Sequence, residues 1–409
     1  MRPGAVALAV LAGALGLATP VLAEPMVGDA RLEPVAYRDL RGWREDDHAA
    51  ALRAFRRTCP PTLNGETAPR PAKASGDLRP ACEAALALGE VSGEAARLFF
   101  ERWFTPVRVV PPSGAGFLTG YFEPEVAGSP VPAPDFTAPL LARPDDLVSL
   151  EPGETRPGLD PALRAARRAG EGLEPYPDRG AIEEGALGER ARPLLYLRDA
   201  VEVFIVQVQG SARVRLADGR AVRVAYAGRN GHPYTSIGRL MVQRGLMPLA
   251  EMNLGTMTAW LRAHPAEARA LMRENRSYVF FRLADELGPE DGPIGGAGVP
   301  LTAHRSLAVD RTLWAYGTPV WLEGELPLPG GGAEPLRRLT VAQDTGTAIV
   351  GPARGDLYWG SGAEAGTRAG LLRHPVAFTV LLPRADPGGG PESGPESGPE
   401  RDLSAEPGR

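Results

Sequence analysis

Among its 409 residues the chain has one lysine (Lys73), two cysteines (Cys59 and Cys82) and five scattered histidines. Neither cysteine has the paired spacing of a zinc or iron–sulfur site. His48, His232, His264, His304 and His374 form no ligand motif, so the sequence implies neither a metal nor another cofactor. The basic residues are otherwise all arginine and nowhere cluster. Five acids against two bases between Pro387 and Arg409 account for much of the formal net charge of -5, which leaves a near-neutral body. Such a body offers no footprint for nucleic acid. After Ala5 to Ala18 no apolar run approaches the length of a membrane span, and no repeat of solenoid length occurs.

The first 23 residues carry a secretory pattern: Arg2, the apolar run, and a small-x-small ending at Val21-Leu22-Ala23. Residues 1–23 are therefore expected to be a signal peptide cut after Ala23, giving a periplasmic protein. No lipobox cysteine stands at the cut to support outer-membrane anchoring. An oxidising compartment suits one disulfide, Cys59 to Cys82, worth about 3 kcal/mol in the chain-entropy model. The Pro-Glu-Ser-Gly repeat over 387–409 cannot bury a core and is expected to be disordered. Roughly 360 residues remain, enough for about two domains.

Between Glu24 and Phe104 the periodicity is helical, with Ser92 placed as an N-cap. From Phe117 short strands are expected: FLTGYFEP, LLYLR, and the run VEVFIVQVQGSARVRLADGRAVRVAYAG, folded at Asp218-Gly219 into a hairpin. Helices return from Thr235 to Arg276, stopped once at Gly245 and opened again at Pro265, and YVFFRL reads as a buried strand. After a Gly-Pro-rich break a second set follows: RSLAVD, TPVWLE, RRLTVAQD, TAIVG and VAFTVLL. Ser361 and Glu364 have capping-box spacing for a short helix between the last two. Many short strands separated by turns predict a small closed barrel.

Chemistry concentrates in RLTVAQDTGTAIVGPARGDLYWGSG, Arg338 to Gly362. Asp344 ends a β-branched run and enters a Thr-Gly turn, which puts its carboxylate at a strand end. Asp356 adjoins Leu357, Tyr358 and Trp359. Apolar rings desolvate a carboxyl and raise its pKa, so that it can hold a proton for general-acid work. The competing reading is that each Asp only forms a turn by accepting backbone N–H bonds.

LTGYFEP, VQVQGSARVRLADG, AYAGRNGHPYTSIGR, SYVFF, VPLTAHRSLAVDR and QDTGTAIVGPARGDLYWGSGAEAG together resemble the membrane-bound lytic transglycosylase A (MltA) family. The C-terminal part is similar to its module named for three aspartates, here Asp310, Asp344 and Asp356. The resemblance implies a mainly β protein with helices. A double-psi β-barrel domain would comprise 24–123 and 285–386, and a second β-rich domain would be inserted over 124–284, with a glycan groove between them. It also implies cleavage of the β-1,4 bond between N-acetylmuramic acid and N-acetylglucosamine in peptidoglycan, with a 1,6-anhydro end as product. Asp356 matches the acid/base, with Asp344 beside it and Thr119 in the same site.

Glycoside cleavage usually uses two carboxylates. When the substrate's own C6 hydroxyl is the nucleophile, its high effective molarity makes a second one unnecessary, and one Asp can act as acid and then as base. Asp344 would then orient the site or raise the pKa of Asp356. Gly120 and Gly360 are expected to bind substrate beside them. Gln207, Gln209 and Ser211 are expected to bond sugar in the groove, or the glutamines to form the solvated face of a strand. Tyr121, Tyr358 and Trp359 are expected to stack on sugar, with a core role as the alternative for Tyr121 and Trp359. Asp310 reads as a structural acceptor. The expected partner is a peptidoglycan glycan strand bound by a monomer. Two other functions fit parts of the pattern: an aspartic peptidase pairing the DTG at Asp344 across a dimer, and a wall-binding protein without turnover.

Overall fold

The computed structural model describes residues 25–66, 76–151, 154–288 and 291–384. The signal expected over 1–23 and the tail over 387–409 lie outside them. Strands β1 (Met26–Val27) and β2 (Ala30–Pro34) precede helices α1 (His48–Leu63), α2 (Arg79–Ala87) and α3 (Gly93–Trp103) and strands β3 (Phe104–Val110) and β4 (Gly116–Glu123). A second unit follows, made of β5 (Glu125–Ser129), β6 (Ala138–Leu141), β7 (Leu147–Ser149), β8 (Ala165–Ala169), β9 (Gly172–Pro175), α4 (Arg179–Glu183), β10 (Pro193–Leu197), α5 (Ala200–Gln209), β11 (Ser211–Arg215), β12 (Ala221–Arg229), α6 (Ile237–Gln243), α7 (Leu254–Ala263), α8 (Pro265–Arg273) and β13 (Val279–Leu283). The chain returns to the first unit through β14 (Ser306–Val309), β15 (Pro319–Pro327), β16 (Ala333–Asp344), β17 (Arg354–Ser361), α9 (Gly362–Leu371) and β18 (Arg373–Pro383).

Strand β18 pairs with β15 on one side and β4 on the other, which closes β18, β15, β16, β14, β17 and β4 into a six-stranded barrel. Two neighbouring pairs run parallel, β14 with β16 and β17 with β4, while the others are antiparallel; this mixture is the double-psi arrangement. Alternation then sorts the side chains. In β15, Val320 and Leu322 fill the barrel with Leu118, Leu357 and Phe378, whereas Trp321 points out beneath the helices and meets Trp43 at 5.2 Å between ring centres. Asp47 and Ser92 cap α1 and α3 through Ala50 N and Ala95 N, and the Cys59–Cys82 disulfide ties α1 to α2. The inserted unit is a six-stranded sheet, β13-β12-β11-β5-β10-β6, with β7, β8 and β9 forming a separate small sheet. No helix among the described residues is long and apolar enough to cross a membrane.

Four local expectations are corrected. VEVFIVQVQ is not a strand but α5, capped by the Asp199 side chain on Glu202 N and closed by Gly210 in the left-handed region. Its apolar residues look continuous because it is buried on two sides: Val203 and Val206 pack on the sheet, Val201 and Phe204 on α6 to α8. The helical reading from Glu24 misses β1 and β2. TAIVG forms a turn, while Arg354 to Ser361, not expected as a strand, is β17 at the barrel's centre. Ser361 occupies the N-cap of α9 without capping it, because its hydroxyl is spent on Glu123.

Candidate active site

Strand β17 carries Arg354, Asp356 and Tyr358 on one face, and its parallel register with β4 sets Thr119 opposite Asp356 and Tyr121 opposite Tyr358. Thr119 Oγ1 donates to Asp356 Oδ1 at 2.6 Å and accepts from an Arg354 guanidinium nitrogen at 2.8 Å. Asp356 keeps some access to solvent. Its packed surroundings nevertheless raise its pKa to about 6: burial contributes most, Arg354 and the Thr119 bond oppose it, and Asp344 adds a smaller push upward. The aspartate is therefore protonated at mildly acid pH and shares its proton readily near neutrality.

Asp344 closes β16. Its Oδ1 accepts from Gly296 N at 2.8 Å and Thr345 N at 2.9 Å, and its Oδ2 from the Tyr121 hydroxyl at 2.8 Å. A Cβ on Gly296 would stand 2.4 Å from the Tyr316 hydroxyl, so only glycine lets this backbone approach. Burial raises the Asp344 pKa too, against the three donors. The Tyr121 and Tyr358 rings lie 5.3 Å apart at 49°. From the inserted unit, Tyr234 comes near enough for Asp356 to raise its pKa, although its own burial does more. The Glu123 carboxylate, fully buried at the end of β4, receives Arg213 from β11 at 2.8 Å and Arg223 from β12 at 2.9 Å, which clamps the two units together.

Other expected residues lie elsewhere. Trp359 is not a stacking surface: it is 7% exposed, lies in the barrel core and packs edge-on against His304 at 5.0 Å. A Cβ on Gly120 would fall 2.7 Å from its indole nitrogen, so Gly120 serves packing. Tyr358 is 1% exposed, which leaves its ring no free face for sugar. Gln207 is neither on a strand nor in the groove; it is 4% exposed, accepts from Arg179 at 2.7 Å and donates to Val279 O. Gln209, at the end of α5, accepts from Phe122 N, and Ser211 is buried at the start of β11. Gly360 lines, with Tyr358, Ser361 and Arg213, a cavity of about 380 Å³. Asp310 accepts from Thr312 N, the Thr312 hydroxyl and Gly351 N, holding the loop after Asp344.

Sequence reasoning missed Arg354, Tyr234, Gly296 and Glu123. Arg354 was findable, since two residues before Asp356 on a strand is the same face. Tyr234 sits in a loop whose placement no periodicity encodes.

Fold and site define a β-barrel protein with an inserted β unit and a protonatable aspartate at their junction. Residues 117–282 match the MltA specific insert domain and 305–382 the 3D domain. The chain is 37% identical to a membrane-bound lytic murein transglycosylase from Agrobacterium tumefaciens of known structure, superposing with a TM-score of 0.75 over 86% of this chain and 97% of that one. The chain belongs to the MltA family. It also resembles the Escherichia coli MltA structure with bound chitohexaose, at 26% identity and a TM-score of 0.60, covering 88% of this chain and 93% of that one. Membrane-bound lytic murein transglycosylase A of Vibrio cholerae is 38% identical over 204 residues, 48% of this chain and 54% of that protein. The chain spans about half the length of the curated relatives it matches.

Proposed function

We propose that this protein is an exported lytic transglycosylase that cleaves the β-1,4 bond between N-acetylmuramic acid and N-acetylglucosamine in peptidoglycan. The observation that carries the proposal is Asp356, its pKa raised to about 6 by burial and its carboxyl fixed by Thr119 at the junction of the units. Asp356 donates its proton to the glycosidic oxygen as the C1–O bond breaks. The C6 hydroxyl of the same muramyl residue then forms the bond to C1, and its proton passes to the Asp356 carboxylate, restoring the acid. No water is consumed. Asp344, held by three donors, orients Tyr121 and through its charge helps keep Asp356 protonated. The names of the relatives, and the chitohexaose held by one of them, support a glycan as substrate.

The aspartic peptidase reading is disfavoured because both Asp344 oxygens are already engaged by Gly296, Thr345 and Tyr121, whereas a dyad needs a second carboxyl there. Digested sacculi decide the matter by mass spectrometry. Muropeptides ending in 1,6-anhydro-N-acetylmuramic acid are expected, with their release lost in Asp356→Asn. Reducing ends alone would make the protein a hydrolase, and free peptides a peptidase. Retention on sacculi without products would make it a binding protein.

A further inference from the structure

One wall beside Asp344 is lined by arginines. The register of β12 on β13 slips between Tyr226, opposite Phe281, and Gly228, opposite Phe280. The extra residue puts Tyr226 and Arg229, three apart, on the same side of the sheet. Arg143 reaches this face, donating to Ala227 O and Leu147 O. Arg164 lies within electrostatic range of Arg229, and Arg311 within range of both Arg229 and Tyr226. The Arg229 guanidinium bonds the Thr347 hydroxyl, three residues beyond Asp344, and Tyr316 senses Asp344 and Arg311 together. The patch therefore borders the candidate active site. The hydrogen bonds of Arg143, Arg164 and Arg229 go to neutral oxygens, and among the described residues no ion pair joins any of the four arginines to an acid.

Like charges converging without a counter-ion repel one another, and the partial burial of Arg164 and Arg229 strengthens the repulsion there. Burial, then Arg164 and Arg311, pull the Arg229 pKa down, which is the signature of that cost. A bound anion would relieve it, and guanidinium forks match a carboxylate in geometry. A neutral sugar offers them acceptors but no charge to offset theirs. In the substrate argued above, the acidic groups are carboxylates carried on the muramyl side chain: the lactyl carboxylate itself, or those of an attached peptide.

We propose that Arg143, Arg164, Arg229 and Arg311 form a subsite for a carboxylate pendant from the glycan strand, so that the groove selects muramyl strands over neutral ones. This rests on the proposed function. The test uses the Asp356→Asn protein, which holds substrate without consuming it, and measures affinity by calorimetry for chitohexaose, peptide-free muramyl strands and peptide-bearing strands. Both or one of the muramyl ligands should bind more tightly than chitohexaose, with a preference that shrinks as salt rises. A preference for peptide-free strands assigns the lactyl carboxylate, and one confined to peptide-bearing strands assigns the peptide. Adding Arg311→Gln or Arg164→Gln should cut the preference about two- to fivefold each, as expected for partly exposed charge pairs. Melting temperatures of the two variants are compared with the parent's, so that loss of fold is not mistaken for loss of charge. Equal affinity for all three ligands, or a preference untouched by both substitutions, overturns the subsite alone. Failure of every glycan to bind overturns the proposed function and this inference with it.

Discussion

Replacing Asp356 by Asn should remove activity and yet stabilise the protein, in a manner that depends on pH. The carboxyl has a pKa near 3.8 in an unfolded chain and about 6 in the fold. Because the folded value is the higher one, protonation favours the native state: that contribution is fully present below pH 3.8 and is lost as pH rises through about 6. At 1.36 kcal/mol per pH unit the loss comes to about 3 kcal/mol, and to about 2 once the residual solvent access of Asp356 is allowed for. Asparagine keeps the shape and can still accept from Thr119, but never carries the charge. Groups that do not interact with Asp356 titrate alike in both proteins and cancel in the difference, and the push between Asp356 and Asp344 is already part of the raised value. At pH 4 the two proteins should melt together; at pH 7.5 the variant should melt a few degrees higher. Calorimetry across that range checks it. An offset of equal size at both pH values, or a variant less stable at pH 7.5, would refute the argument that burial at this site holds the proton.

The same pKa predicts that kcat/KM for peptidoglycan falls about tenfold per pH unit above about 6, where the acid form is depleted; turbidity clearance across pH measures it. Thr119→Val removes a donor that favours the carboxylate, so this limb should move up by about one pH unit, and an unmoved limb would detach Thr119 from Asp356. Glu123→Ala leaves Arg213 and Arg223 without their acid, which should cost about 3–5 kcal/mol in denaturant unfolding. The double variant Cys59→Ser with Cys82→Ser should lose about 3 kcal/mol of stability while kcat stays at the parent's value, since the bond joins α1 to α2 and makes no contact with Asp356.

What the sequence could tell depended on whether a signal was local. Ser92 and Asp218-Gly219 announce a cap and a turn because the physics that selects them acts over three or four residues, and both occur where expected. The strand end at Asp344 was legible for the same reason. Gln207 was misplaced because an apolar run of ten residues has the same composition whether it is a sheet-core strand or a helix buried on two sides; only the cap and the closing glycine distinguish them. Trp359 was misassigned because a strand inside a closed barrel has one face in the core, and Gly120 on β4 leaves the space its indole occupies. The inter-unit contacts of Tyr234 and Glu123 are set by how two sheets meet, which no window of sequence contains.

Two aspartates on β16 and β17, strands that flank β14, are driven to different roles by how many donors each receives. Both are pushed toward the protonated form by burial. Asp344 accepts two backbone N–H groups and a phenol, all of which favour its carboxylate, and backbone donors cannot be moved by substrate. Asp356 accepts from one threonine hydroxyl, which Arg354 holds in place, and has Asp344's charge as a neighbour. The fixed acceptor is suited to orientation and the under-solvated one to proton transfer. Moving one donor tests this asymmetry: Tyr121→Phe deprives Asp344 of its one side-chain donor among the described residues, so Asp344 should hold its negative charge less firmly and press less on Asp356. The pH limb of kcat/KM should then shift downward, opposite to the shift from Thr119→Val. Shifts of the same sign in both variants would mean that the two carboxyls titrate as one unit and that no division of labour exists between them.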